Sequence, residues 1–218
     1  IIKNLSKRQK YKPTQPTKSS VIYDYQYGNR ITPDTSLQVS AFYRGCFYIA
    51  SQIGKLPWDV KTIDNEFINK DSNIWYLLNR KPNDDMSAFN LRVLMVYMCL
   101  LRGNGFCEIV RNMLGEVVAI YPILNYDICI VRDVTGKLFY QLSNTVDGKS
   151  STMYMDKKDI LHFRNIHTED GINGLSVINY ASQILGIAAG ADKMAGSLYG
   201  NGGLPSGVLE TEKALSQD

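Results

Sequence analysis

Between residues 39 and 54 apolar side chains recur at Val39, Phe42, Tyr43, Cys46, Ile49, Ala50 and Ile53. Gaps of three and four residues of that kind describe one face of a helix. Gly54 and Pro57 then stop it, and Trp58-Asp59-Val60-Lys61-Thr62-Ile63 alternates as a strand would. A short second helix is expected over residues 74–79, ended by Lys81-Pro82-Asn83. Ser87 has the chemistry to cap the start of a third helix, which runs to about Leu101 and is closed by Gly103. This third helix is apolar nearly all round, from Phe89 through Leu91, Val93, Leu94 and Met95 to Leu101. Such a helix is buried on most sides, and core packing explains it better than a cofactor box does.

Shorter periods follow. Residues 106–110 and 117–123 flank the turn signal Asn112-Met113-Leu114-Gly115. Residues 127–132 and 137–142 flank Val134-Thr135-Gly136, and residues 159–164 read as one more strand. The fold class expected from this order is α+β, with helices packed on a small, mostly antiparallel sheet.

The last long element is predicted to run from Gly174 to about Tyr199, spanning about 39 Å as a helix. Leu175, Ile178, Ser182, Leu185, Ala189 and Asp192 share one line along it. Small residues crowd its middle, and each glycine costs a helix about 1 kcal/mol relative to alanine. Ser182, Gly186, Ala189, Gly190 and Gly196 are therefore the candidate positions for close packing against another helix, from this chain or from a neighbouring copy.

Composition narrows the picture modestly. The 218 residues are 44% hydrophobic and 21% charged, with a formal charge of +3, which excludes a strongly basic nucleic-acid binder. The first 36 residues look irregular, with Pro13, Pro16 and Pro33, and are locally basic: Lys3, Lys7, Arg8, Lys10, Lys12 and Lys18 all precede the first acid, Asp24. That arm is read as solvated and disordered, the competing reading being a tail that holds nucleic acid in a soluble binding module. Cys46, Cys99, Cys107 and Cys129 form no CxxC pair and sit in apolar runs, as buried reduced thiols do. No signal peptide is visible. Residues 175–191 carry no charge but include Ser176, Asn179, Ser182 and Gln183, which argues against a membrane span.

Catalytic chemistry is not apparent. Gly148-Lys149-Ser150 resembles the end of a phosphate loop, but Ser143 stands where its first glycine belongs. Gly200-Asn201-Gly202-Gly203 follows a helix instead of joining a strand to one, so it reads as a helix cap and turn. His162 and His167 lack partners at metal-ligand spacing, and the pairs Asp84-Asp85 and Glu169-Asp170 read as solvated or capping carboxylates. No enzyme, cofactor or metal site is expected. A nucleotide-driven motor is the enzyme reading weighed against this, and it lacks its phosphate cradle.

The order of several short segments is informative in a different way. Ile53-Gly54-Lys55-Leu56-Pro57-Trp58, Leu77-Leu78-Asn79-Arg80-Lys81-Pro82-Asn83 and Leu100-Leu101-Arg102-Gly103-Asn104-Gly105 come first. Ile160-Leu161-His162-Phe163-Arg164, Gly171-Ile172-Asn173-Gly174-Leu175-Ser176 and Asn201-Gly202-Gly203-Leu204-Pro205-Ser206-Gly207-Val208 follow. In that order and spacing the chain resembles the HK97-type phage portal proteins from about residue 37 to 210. The resemblance implies a homo-oligomeric ring of about twelve subunits at one capsid vertex of a virion, assembled in the host bacterial cytoplasm. It implies as partners the terminase large subunit, a major capsid or scaffold protein, a head–tail adaptor, and double-stranded DNA passing non-specifically, with no membrane. It also implies a division: residues 1–36 as an arm, 37–173 as a wing, 174–200 as a stem helix, and 201–218 as the start of a clip whose strand is residues 205–210. Members of the family continue well past this point, so the sequence is expected to be a piece of a longer chain, and no DNA-contacting residue is carried over.

Overall fold

A computed structural model describes residues 12–13, 31–124, 126–133, 135–146, 149–166 and 171–203. Five helices lie in it: α1 (Pro33–Ser36), α2 (Ser40–Lys55), α3 (Asn73–Asn79), α4 (Ala88–Arg102) and α5 (Val177–Gly200). The strands are β1 (Lys12–Pro13), β2 (Asn104–Arg111), β3 (Val117–Pro122), β4 (Asp127–Arg132), β5 (Leu138–Val146), β6 (Lys149–Asp156) and β7 (Ile160–Arg164). The class is α+β, as expected.

Helix boundaries follow local chemistry. Ser72, Ser87 and Ser176 cap α3, α4 and α5, each hydroxyl accepting an N–H of the first turn. Gly103 closes α4 in the left-handed region, at φ +82°. Order begins earlier than the irregular arm suggested. Thr32 and Thr35 form a reciprocal capping box that starts α1, and Ile31 beside it is 1% exposed. Proline at the first turn supports a helix, so Pro33 starts one inside the stretch expected to be irregular.

Antiparallel pairing builds two sheets where one was expected. One has the order β3-β2-β7 and the other β1-β4-β5-β6. Alternation predicts strands but not their partners, which are chosen by long-range packing. β5 runs four residues past its expected end and pairs with β6, with Phe139 opposite Asp156 and Leu142 opposite Met153. β6 does not stand among the strands expected in the sheet, because Lys149, Ser150, Ser151 and Thr152 open it with no apolar alternation. The stretch 58–63 is not a strand. Only an isolated bridge, Lys61 to Phe67, forms there, turning through Asn65 at φ 64°. Only its start finds a surface: Trp58 lies against Phe163 with ring centres 5.5 Å apart, whereas Ile63 is fully exposed.

Three cores result. Phe106, Ile128, Ile130, Tyr140, Leu142 and Ile160 join the two sheets. Leu77, Leu91, Met95, Cys107 and Ile120 seat α3 and α4 on the three-stranded sheet. Ile31, Cys46, Leu101, Ile178 and Leu185 hold α5 against the other helices. Helix α4 is less enclosed than its sequence implied: Leu91 and Met95 are buried, but Phe89 is 40% exposed. Arg92, buried on α4, donates to the carbonyls of Ala88 and Leu56 and lies over Trp58, which pins the chain leaving α2.

Candidate functional site: the root and the outer face of the long helix

Three of the short segments noted in the sequence meet where α5 begins. Gly103 and Gly174 touch backbone to backbone. A Cβ on Gly103 would lie 2.2 Å from the Gly174 carbonyl oxygen, and one on Gly174 would lie 2.1 Å from that of Gly103. Only glycine fits either place. The Asn104 carboxamide spans the same contact, accepting from Gly174 N at 2.9 Å and donating to Gly174 O at 3.2 Å. Asn165 donates its backbone N–H to Gly103 O at 2.9 Å and its side-chain amide to Leu175 O at 2.8 Å. Ser176 caps α5 and donates to Leu101 O at 2.5 Å.

His162 completes this joint from β7. Its Nε2 is 2.9 Å from Asn104 Oδ1, and its Nδ1 is 3.3 Å from the Tyr140 hydroxyl on β5. Asn104 Oδ1 already accepts from Gly174, so Nε2 must carry the hydrogen and Nδ1 must accept from Tyr140. The ring stacks on Phe106 at 4.5 Å. Burial, and then Arg164, push its pKa down to about 4, so the imidazole is neutral at pH 7. Histidine here is a structural link between both sheets and the helix root. His167 lies outside the described residues.

The small-residue candidates are divided by the fold. Gly186 is buried, and Ala189 packs on the cluster of Cys46, Leu101, Ile178 and Leu185, so both serve packing inside this chain. Ser182 is half-buried with its hydroxyl 3.4 Å from Asn179 O, and Gly190 is half-buried. Gly196 is exposed, and a Cβ there would meet open space. Every residue from 191 to 200 is exposed. Sequence reasoning missed the opposite face, where Ile184, Ile187, Met194 and Leu198 are 71%, 56%, 76% and 49% exposed. Their spacing of three, four and seven was the available signal, but the small residues drew the attention.

The other candidates find plain roles. Burial pushes the thiols of Cys99 and Cys107 up to about 11 and about 12, which leaves them protonated and unreactive at neutral pH. Ser87 caps α4, and Asn83 Oδ1 accepts from Asp85 N and Met86 N, so the Asp84-Asp85 pair sits in a turn. Gly202 and Gly203, at φ 72° and 70°, return N–H bonds to Tyr199 and Leu198 and terminate α5 as expected. Glu169-Asp170, Gly148 and residues 205–210 fall outside the described residues. Among the described residues no cluster could hold a metal ion, and no helix is long and apolar enough to cross a membrane.

Residues 40–218 match the family model described as phage portal protein. This chain belongs to the phage portal protein family. It is 24% identical over 214 residues to the portal protein of Enterobacteria phage HK97, covering 94% of this chain and 49% of that one. It therefore spans about half of that relative's length. Among solved structures it is similar to a chain in the neck of an empty gene transfer agent (GTA) particle computed with C6 symmetry. The TM-score is 0.64 at 20% identity, over 88% of this chain and 54% of the other. A chain in the neck of the native GTA particle, computed with C12 symmetry, gives 0.56 at 19%, over 83% and 51%. These likenesses show the shared fold. Within the portal family frame, the helix root explains why the Leu-Arg-Gly-Asn-Gly and Gly-Ile-Asn-Gly-Leu-Ser segments read together: they are two sides of one backbone contact.

Proposed function

We propose that the full-length protein is a portal subunit, a structural element that closes into a ring at one capsid vertex. The ring would conduct double-stranded DNA in packaging and ejection. On the same reading it docks the terminase large subunit, a capsid or scaffold protein and a head–tail adaptor, after assembly in the host cytoplasm. The observation that carries this reading is the family match across residues 40–218. Support comes from α5, whose distal half leaves the domain with every residue exposed. A helix built in that way needs neighbours, and closed symmetric rings supply them. The division into a wing at 37–173, a stem helix at 174–200 and a clip start at 201–218 belongs to the same proposal. So does a packing role between subunits for Gly196 and Gly190. The reading is structural and assigns no catalytic step.

Native mass spectrometry with negative-stain imaging of the full-length protein tests it. Closed rings of about twelve subunits are expected. Monomers under all assembly conditions would overturn it.

A further inference from the structure

A pocket beside the helix root is walled by two parts of the fold that one stretch of this chain has to join. Ile123, Tyr126 and Ile128, around the start of β4, form one side. Met98 and Arg102, on the last turn of α4, form the other, and Phe106 of β2 completes the lining. Leu124 at the same pocket is 41% exposed. Arg102 is exposed there and forms no ion pair among the described residues.

The amino-terminal arm is anchored on both sides of this pocket. β1 pairs antiparallel with β4, Lys12 opposite Arg132 and Pro13 opposite Val131, so rising residue numbers run towards the start of β4. Continued in that register, Pro16 falls opposite Ile128, where its missing N–H ends the ladder. On the far side the chain returns at Ile31, which packs with Leu101 on the turn of α4 that carries Met98 and Arg102. Residues 14–30 lie outside the described residues, and they have to pass from the β4 side to the α4 side.

Their sequence suits that passage. Val21, Ile22, Tyr23, Tyr25 and Tyr27 make five of seven residues large and apolar, midway between Pro16 and Ile31. A solvated arm has no use for such a run. Asp24, set between two of the tyrosines, is the only acid in the first 30 residues, so it is the arm's one complement to Arg102. Tethering at both ends also favours this occupant. Effective concentration falls as the tether lengthens, and a segment beyond residue 218 reaches the pocket only by a longer path.

We propose that residues 21–27 cover this pocket in their own chain, with Tyr23 seated on Ile123 and Phe106 and Asp24 paired with Arg102 at the rim. The arm from residue 12 onwards is then a fixed part of the domain, tying the four-stranded sheet to the helices, and is no tail free to hold nucleic acid.

The test places p-benzoylphenylalanine at Tyr23 in the full-length chain and mixes it, before assembly, with a large excess of ¹⁵N-labelled wild type. After irradiation, adducts are mapped by mass spectrometry. Light-isotope peptides from residues 98–106 or 123–128 joined to position 23 are the expected result. Light adducts would form in a monomer as in a ring, so this contact is independent of the ring reading. Heavy-isotope adducts at those peptides would put a neighbour's arm in the pocket, and adducts only to residues beyond 218 or elsewhere would leave the pocket to another occupant. Either result overturns the proposal, as does the absence of any adduct in a chain that unfolds in urea like wild type. Arg102→Glu gives a second readout. The position is exposed, so the domain should keep its stability while adduct yield falls about threefold, the size of an exposed ion pair. Combining it with Asp24→Arg should restore the yield. An unchanged yield in the first variant, or no recovery in the second, would sink the proposal.

Discussion

The two ends of α5 are made of the same kinds of residue and end in opposite environments. Residues 177–190 have an inner face that is covered: Ile178 is 1% exposed and Leu185 is 4% exposed. Residues 191–200 carry Met194, Leu198, Ala191 and Ala195 and are exposed throughout. Neither hydrophobicity nor helix propensity separates them. The difference is that α1, α2 and α4 supply a surface for the first stretch and stop short of the second. An apolar face is therefore a demand for a partner, and only the fold says whether the chain itself provides one.

The largest break in this comparison should come at the root. Gly103→Ala forces a side chain into the left-handed region and into the Gly174 carbonyl, so it should cost between about 2 and 5 kcal/mol in urea unfolding. Leu185→Ala should cost about 2–5 kcal/mol through its cavity. Leu198→Ala in the distal half should change chain stability by less than about 0.5 kcal/mol. Equal losses at 185 and 198 would mean that the distal half is packed after all.

His162 makes the root sensitive to acid. Folded it sits at about 4, whereas an unfolded histidine titrates near 6.5, so between those values the unfolded chain binds the extra proton. Its contribution is whole above pH 6.5 and is lost as pH falls towards 4, by at most about 3 kcal/mol. Denaturation midpoints of wild type and His162→Gln across that window should converge as pH drops. Parallel curves would show that the imidazole does not report the fold.

Smaller effects sharpen the contrast. Ser176→Ala should remove about 1 kcal/mol by uncapping α5. Gly196→Ala should raise the stability of the isolated chain by about 0.5–1 kcal/mol, because a Cβ there meets open space. The same change should weaken rings if Gly196 lies at a close subunit contact. Stronger rings would remove Gly196 from the interface.

Much of the local architecture was legible. Caps at Ser87 and Gly103, the turn at 112–115 and the end of α5 at Gly202-Gly203 follow from chemistry confined to a few residues. Three readings failed for reasons that lie further off. Residues 58–63 alternate like a strand but find no sheet edge. Polar β6 shows no alternation and becomes a strand because β5 offers it a full register. Pro33 begins a helix because Thr32 caps it.

By itself the sequence determined where helices start and stop, which residues are apolar, and which segments mark the portal family, since each depends on near neighbours or on inherited order. Tertiary structure decided that the strands form two sheets and that Gly103, Asn104, His162 and Gly174 meet at one joint. It also decided that α5 buries Ile178, Leu185 and Gly186 and leaves Ile184, Ile187, Met194 and Leu198 exposed. Those outcomes depend on contacts between residues tens of positions apart, where burial against one particular surface, and not the character of the residue, sets its role.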